Sequence, residues 1–159
     1  MIRALLFSST VTSLLVVAVS ASDSSTPETK YKTKTVYGHV VWMAEALARR
    51  HGVQTVLENA KQVQALETKD GRLLPIIEDI RGRSFRRDGR LRDMEVELLV
   101  REYQGTPMLQ VIRICQTAEE GKFEIDYWCD ICAIAMFELK PCDCCQGPIE
   151  LRRRKTQPK

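Results

Sequence analysis

Apolar residues crowd from Val36 onward as in a buried strand, "VYGHVVWM", and give way to "AEALARRHG", good helix formers whose basic last turn precedes the stop Gly52. A strand and a short helix are predicted. "VQALET" and "LLPIIED" then flank "KDGR", where Asp70-Gly71 predicts a two-residue hairpin turn, with Pro75 pushing the second strand toward an edge or a bulge. "RGRSFRRDGRLRD", Arg81 to Asp93, lacks strand alternation and reads as a turn or short helix around Phe85 and Leu91. "MEVELLVREY" alternates Val96, Leu98 and Val100 against Glu95, Glu97 and Arg101, a half-buried strand. "GTPMLQVIRICQ" returns through Gln104 to Thr106, with Met108, Gln110, Ile112 and Ile114 expected on one face and Leu109, Val111, Arg113 and Cys115 on the other.

Five short strands and two short helices in some 80 residues make the chain mainly β, a small α+β protein. Over Val36 to Gln116 the strand count and spacing resemble the OB-fold, which implies a five-stranded β-barrel; an SH3-like barrel or a small open α+β sheet has nearly the same pattern. With 159 residues, 44% of them hydrophobic, one ordinary core is affordable and two are not. A formal charge of +3 argues against a nucleic-acid partner, since such chains are usually far more basic.

The N-terminus reads as a secretory signal peptide. Arg3 supplies the positive region, Ala4 to Ala18 an apolar stretch, and "VSA" a small-residue cleavage site after Ala21. Ser8, Ser9, Thr10, Thr12 and Ser13 make that stretch too polar for a strong span, so no membrane segment is expected in the mature chain, which would be periplasmic or secreted. Residues 22–35, rich in Ser, Thr and Lys, are expected to form a flexible leader, with the barrel over 36–116. A cysteine-rich tail over 117–151 and a disordered basic end over 152–159 follow.

Five of the six cysteines lie in that tail, within "YWCDICAIAMFELKPCDCCQG". Cys129 with Cys132 and Cys142 with Cys145 form two C-x2-C pairs nine residues apart, and each such turn aims two thiolates at one point. The four are the candidate metal ligands, with Cys144 as an alternative ligand and Cys115 a small buried residue. Zinc is favoured over iron, because a redox-inert ion suits a structural clip. Two other readings compete. "WCDIC" resembles the Trp-Cys-x-x-Cys of thioredoxin-type oxidoreductases, which implies thiol-disulfide or electron-transfer chemistry at Cys129 and Cys132, but fewer than 30 residues follow for the rest of that fold. Disulfides are the third reading, since export favours oxidation and six cysteines permit fifteen pairings.

Six arginines cluster between Arg81 and Arg92, and Arg83, Arg86, Arg87 and Arg90 are a candidate anion-binding group for an anionic polymer. The blander and favoured reading pairs them with Asp79, Asp88 and Asp93 as a solvated face. His39 and His51 have no nucleophile near them in sequence, and no P-loop, GxGxxG, GxSxG or HExxH occurs.

The compact pair spacing of the tail resembles rubredoxin and zinc-ribbon knuckles, which carry iron or zinc. Most of the mature chain is similar to uncharacterised exported bacterial proteins that join an OB-like body, with a stretch like "ALETKDGRLLPIIEDIRGRSFRRDGRLRDMEVELLVR", to a tail like "YWCDICAIAMFELKPCDCCQGPIELR". That resemblance implies an architecture and no activity. The expectation is an exported, non-enzymatic metal-binding module with a C-terminal four-cysteine knuckle hairpin; its partner is unknown, with a protein and an anionic polymer as the candidates.

Overall fold

The computed structural model describes residues 30–156; the expected signal peptide and most of the expected leader lie outside them. In chain order the elements are β1 (Tyr31–Trp42), α1 (Met43–His51), β2 (Gln64–Glu67), β3 (Leu73–Pro75), α2 (Ser84–Arg87), β4 (Glu95–Tyr103), β5 (Leu109–Ala118), β6 (Gly121–Cys129), β7 (Ile134–Met136) and β8 (Glu150–Lys155), with single 3-10 turns at Leu57–Asn59 and Gly89–Leu91. The strands form one sheet in the order β3-β2-β1-β4-β5-β6-β7, with β8 on β6, and every ladder is antiparallel.

The chain is mainly β with few helices, as its patterning predicts, but the sheet is open and holds eight strands where a closed five-stranded barrel was expected. β3 returns to β5 through one parallel bridge, Ile76 to Leu109, with the Ile77 N–H on Leu109 O at 2.9 Å. A single bridge cannot replace a ladder. The three extra strands come from the tail, whose β6 continues directly from β5 through the ladder Cys115–Ala118 against Gly121–Glu124.

Local chemistry accounts for most elements. Val36, Val40 and Trp42 are buried on β1 while Thr35, Tyr37 and His39 are exposed. A Cβ at Gly38 would stand 2.1 Å from Glu67 O, so only glycine fits where β1 leaves the β4 ladder for that of β2. α1 ends on Gly52 in the left-handed region, φ 66°, its N–H capping the last turn. The hairpin after β2 is not the expected two-residue turn. Gly71 alone has positive φ, 83°, and its N–H reaches Thr68 O while Thr68 N–H reaches Arg72 O, a three-residue loop closed by a glycine bulge.

Two expectations at the edges change. β1 starts at Tyr31, inside the expected leader, because Tyr31 packs edge-on against Tyr103 at 5.8 Å and lies under Arg101. Residues 152–155, expected to be disordered, form most of β8. Arg152 and Arg154 reach the buried carboxylate of Asp126 at 2.8 and 3.1 Å, and Arg152 stacks on Trp128. On β5 a bulge skips Ile112, with Val100 facing Val111 and Leu99 facing Arg113. Leu109 and Val111 therefore share the buried face with Ile114, which strict alternation put on the opposite side.

One core runs through both halves. Val40, Leu66, Ile76, Phe85, Leu91, Leu98, Val100 and Leu109 belong to the same buried cluster as Ile125, Tyr127, Cys129, Met136, Cys142 and Ile149. The change of composition near Gln116 is thus no break in packing. Among the described residues no helix is long and apolar enough to cross a membrane.

Candidate metal centre

β6 organises the site. Its residues Phe123–Trp128 pair with β8 on one edge, which leaves the other to β5 along Gly121–Glu124 and to β7 along Tyr127–Cys129. Chain leaving β7 on one side must return to β8 on the other, so residues 137–149 pass across the end of β6, where Cys129 stands. This crossing carries Cys142 and Cys145 to the first cysteine pair.

Both cysteine turns have the same backbone design. The N–H of Ala133 bonds to Cys129 O at 2.8 Å, and the N–H of Gln146 bonds to Cys142 O at 2.9 Å. Ala133 (φ 53°) and Gln146 (φ 59°), each directly after the second cysteine of its pair, are the two non-glycine residues with positive φ among the described residues. In the first turn the N–H groups of Cys132 and Ile131 point at the Cys129 sulfur; in the second those of Cys145 and Cys144 point at Cys142. Gly147 N–H adds a donor to Cys145 Sγ at 3.4 Å. Such N–H groups stabilise negative charge on sulfur, as a bound cation also does.

The four sulfurs of Cys129, Cys132, Cys142 and Cys145 lie within 4.8 Å of one another, and Cys129 Sγ is 3.5 Å from Cys145 Sγ. Sulfurs about 2.3 Å from a tetrahedral ion stand about 3.8 Å apart, so the group could hold a metal ion with small side-chain adjustments. Cys129 and Cys142 are fully buried, whereas Cys132 and Cys145 are half-buried. The N–H groups of Cys145 and then Cys144 lower the Cys142 thiol to about 7. For Cys129 the Cys132 N–H is the largest influence and lowers its pKa, but burial and the thiols of Cys142 and Cys145 outweigh it and the net shift is upward. Cys132 is raised by the thiols of Cys144 and Cys145, then by burial. Four thiols crowded together resist ionising together unless a cation joins them.

All six cysteines are free thiols, and the four sulfurs meet as one group rather than as two separate pairs. Cys144 is exposed and outside the group of four. Cys115 is buried on β5, and burial raises its pKa. Cys129 ends a strand and is fully enclosed, unlike an attacking thiol at a helix N-terminus. His39 and His51 are exposed on β1 and at the end of α1, apart from the cysteines.

The arginines resolve into ion pairs. Arg83 forks onto Glu138 at 2.7 and 2.6 Å, joined by Arg87 at 3.3 Å; Arg86 pairs with Glu78, and Arg90 with Asp88 at 2.6 Å. Asp88 also accepts from Tyr127 OH at 2.9 Å, and Arg81 lies 3.6 Å over Phe137. Of the three aspartates expected as partners only Asp88 pairs in this way. Asp79 instead accepts from the Arg81 and Gly82 N–H groups and from the Gln110 amide. The segment around α2 is therefore clamped onto β6 and the chain after β7, beside the cysteines.

Glu138, 1% exposed, is the residue that sequence reasoning missed. Its signal was a lone carboxylate inside the apolar run "AIAMFEL", which requires a cationic partner if buried. Comparison with protein-family models, curated proteins and solved structures finds no match.

Proposed function

We propose that this chain is an exported, non-enzymatic module that binds one structural zinc ion through Cys129, Cys132, Cys142 and Cys145. The observation that carries this reading is the convergence of four sulfurs from two turns of the same design, each supplied with backbone N–H donors. Zinc takes four thiolates in tetrahedral geometry, needs no redox partner and couples its binding to folding. The loop 137–149 gains most, since it carries few apolar side chains of its own into the core. Export rests on the N-terminal pattern of Arg3, the apolar stretch and "VSA". A bound ion would also protect the thiols from oxidation outside the cytoplasm.

Thiol-disulfide exchange at Cys129 and Cys132 is less well supported, because the first thiol is enclosed and raised in pKa. Anion binding by Arg83, Arg86, Arg87 and Arg90 is weakened by their carboxylate partners. Elemental analysis of the purified mature chain, combined with free-thiol counting, tests the proposal. One zinc per chain in a colourless protein is expected. A red protein with one iron would keep the ligands and change the metal, and a metal-free chain with oxidised tail cysteines would overturn the reading.

A further inference from the structure

Most of β1 is held along one edge only. Its ladder with β4 covers Tyr31 to His39, whereas the ladder with β2 covers His39 to Trp42. Hydrogen-bonded pairs alternate along an antiparallel ladder, and the Gln104 N–H on Lys30 O at 3.1 Å fixes the phase. Lys32, Lys34, Val36 and Gly38 therefore bond β4, while Tyr31, Thr33, Thr35 and Tyr37 turn their N–H and C=O groups to the other side. The bond from Met43 N–H to Val63 O gives the same phase toward β2, where His39 and Val41 use those groups. Between Tyr31 and Tyr37 nothing among the described residues takes them up. This open run is about 20 Å long. It stops beside Gly38, where Glu67 O occupies the place a Cβ would need.

Open edges are ordinarily guarded. β3 and β7 are three residues long, the former with Pro75, and β8 carries Arg152 to Lys155. The run on β1 has neither brevity nor proline, and the charge of Lys34 is met by Glu102 at 2.7 Å. Along its last residues lies an open cleft lined by Thr35, Tyr37, Thr68 and Asp70.

We infer that this edge pairs with the same edge of a second copy of the chain, antiparallel about a two-fold axis at Lys34, so that the two sheets become one. The register follows from the open groups. Centring on Lys34 sets Tyr31 opposite Tyr37 of the second copy and Thr33 opposite Thr35, and every open N–H and C=O finds a partner; centring on Thr33 or Thr35 leaves some unpaired. The side chains agree, because "YKTKTVY" reads nearly alike from both ends. Tyr31 and Tyr37 are each about half exposed, and Tyr31 already packs edge-on against Tyr103, so Tyr37 of the second copy completes a row of three aromatic rings. Lys32 of the second copy falls opposite Val36, at the cleft where Asp70 supplies the opposite charge. At the axis two Lys34–Glu102 ion pairs meet rather than two bare lysines. The inference does not depend on the metal reading.

Sedimentation velocity of the purified mature chain over about a hundredfold range of concentration tests it, and a reversible dimer is expected. Thr35→Pro deletes an N–H that β4 does not use, so it should leave the circular dichroism spectrum unchanged and raise the dimer Kd at least about tenfold. Should that variant unfold, a pair of surface variants decides. Tyr31→Lys with Tyr37→Lys sets like charges opposite each other across the axis and should weaken the dimer, whereas Tyr31→Lys with Tyr37→Glu sets opposite charges there and should restore it. A wild type that stays monomeric throughout would leave the edge to a strand of another protein and overturn the inference. A folded Thr35→Pro variant that dimerises like the wild type, or two charge variants that behave alike, would overturn it as well.

Discussion

Five cysteines fall between residues 129 and 145 and six arginines between 81 and 92. Four of the cysteines meet one another, whereas four of the arginines disperse onto Glu78, Asp88 and Glu138. Thiols can share one cation and gain by converging, while guanidinium groups repel one another and are satisfied by carboxylates. Density in sequence therefore marks a site only where the groups have a common reason to meet. The regions are still coupled, because Glu138 lies four residues before Cys142 and is held by Arg83 and Arg87.

The largest effect should come from breaking the convergence itself. Cys142→Ser or Cys129→Ser should weaken metal binding by at least about a thousandfold in a competitive chelator titration and lower the melting temperature, because three ligands leave the site open. Cys144→Ser should keep one metal per chain. Equal losses from Cys144→Ser and Cys145→Ser would move the ligand set to a C-x-C arrangement. Since the tail shares its core with the rest of the sheet, chelation should raise hydrogen exchange first in β7 and residues 137–149 and also lower global stability.

The link between the two regions should show the next largest effect. Glu138→Gln removes a buried charge that faces two arginines and should cost about 2 kcal/mol in denaturant unfolding, less than a fully buried pair because both arginines reach solvent. Burial alone would raise the carboxyl pKa values of Glu138 and Asp88, but the Arg83 bonds on Glu138, and those from Arg90 and Tyr127 on Asp88, leave both below their usual values. A depressed folded pKa gives stability that is present above the unfolded value, about 4 for carboxylates, and is lost as pH falls through the folded one. Acid should therefore destabilise the wild type on that side of about pH 4, and Glu138→Gln should show a shallower acid limb. An unchanged limb would mean that this ion pair adds nothing.

The cysteine turns also offer a gain. Ala133→Gly and Gln146→Gly relieve positive φ and should each raise stability by up to about 1 kcal/mol, offset in part by the entropy of glycine. A loss at either position would show that the side chain packs usefully there.

The smallest effect is expected from the arginines as a surface. Replacing Arg83, Arg86, Arg87 and Arg90 with lysine should leave elution from a polyanion resin at low salt, as in the wild type, because the neighbouring acids cancel the field within about 8 Å. Tight retention of the wild type at physiological salt, lost in the variant, would restore the anion-binding reading.

What the sequence by itself determined is local. Alternation in "MEVELLVREY", the stop at Gly52 and the two C-x2-C spacings each depend on a few consecutive dihedrals, and the backbone of a turn places both of its thiols. Tertiary structure decided the rest. β6 pairs with β5 and extends the sheet, and a bulge skips Ile112, and neither leaves a mark in residue type. Glu138 and Arg83 are 55 positions apart, so no spacing rule could join them. The second cysteine turn meets the first because residues 137–149 must cross from one edge of β6 to the other, a constraint that exists only once β7 and β8 have paired.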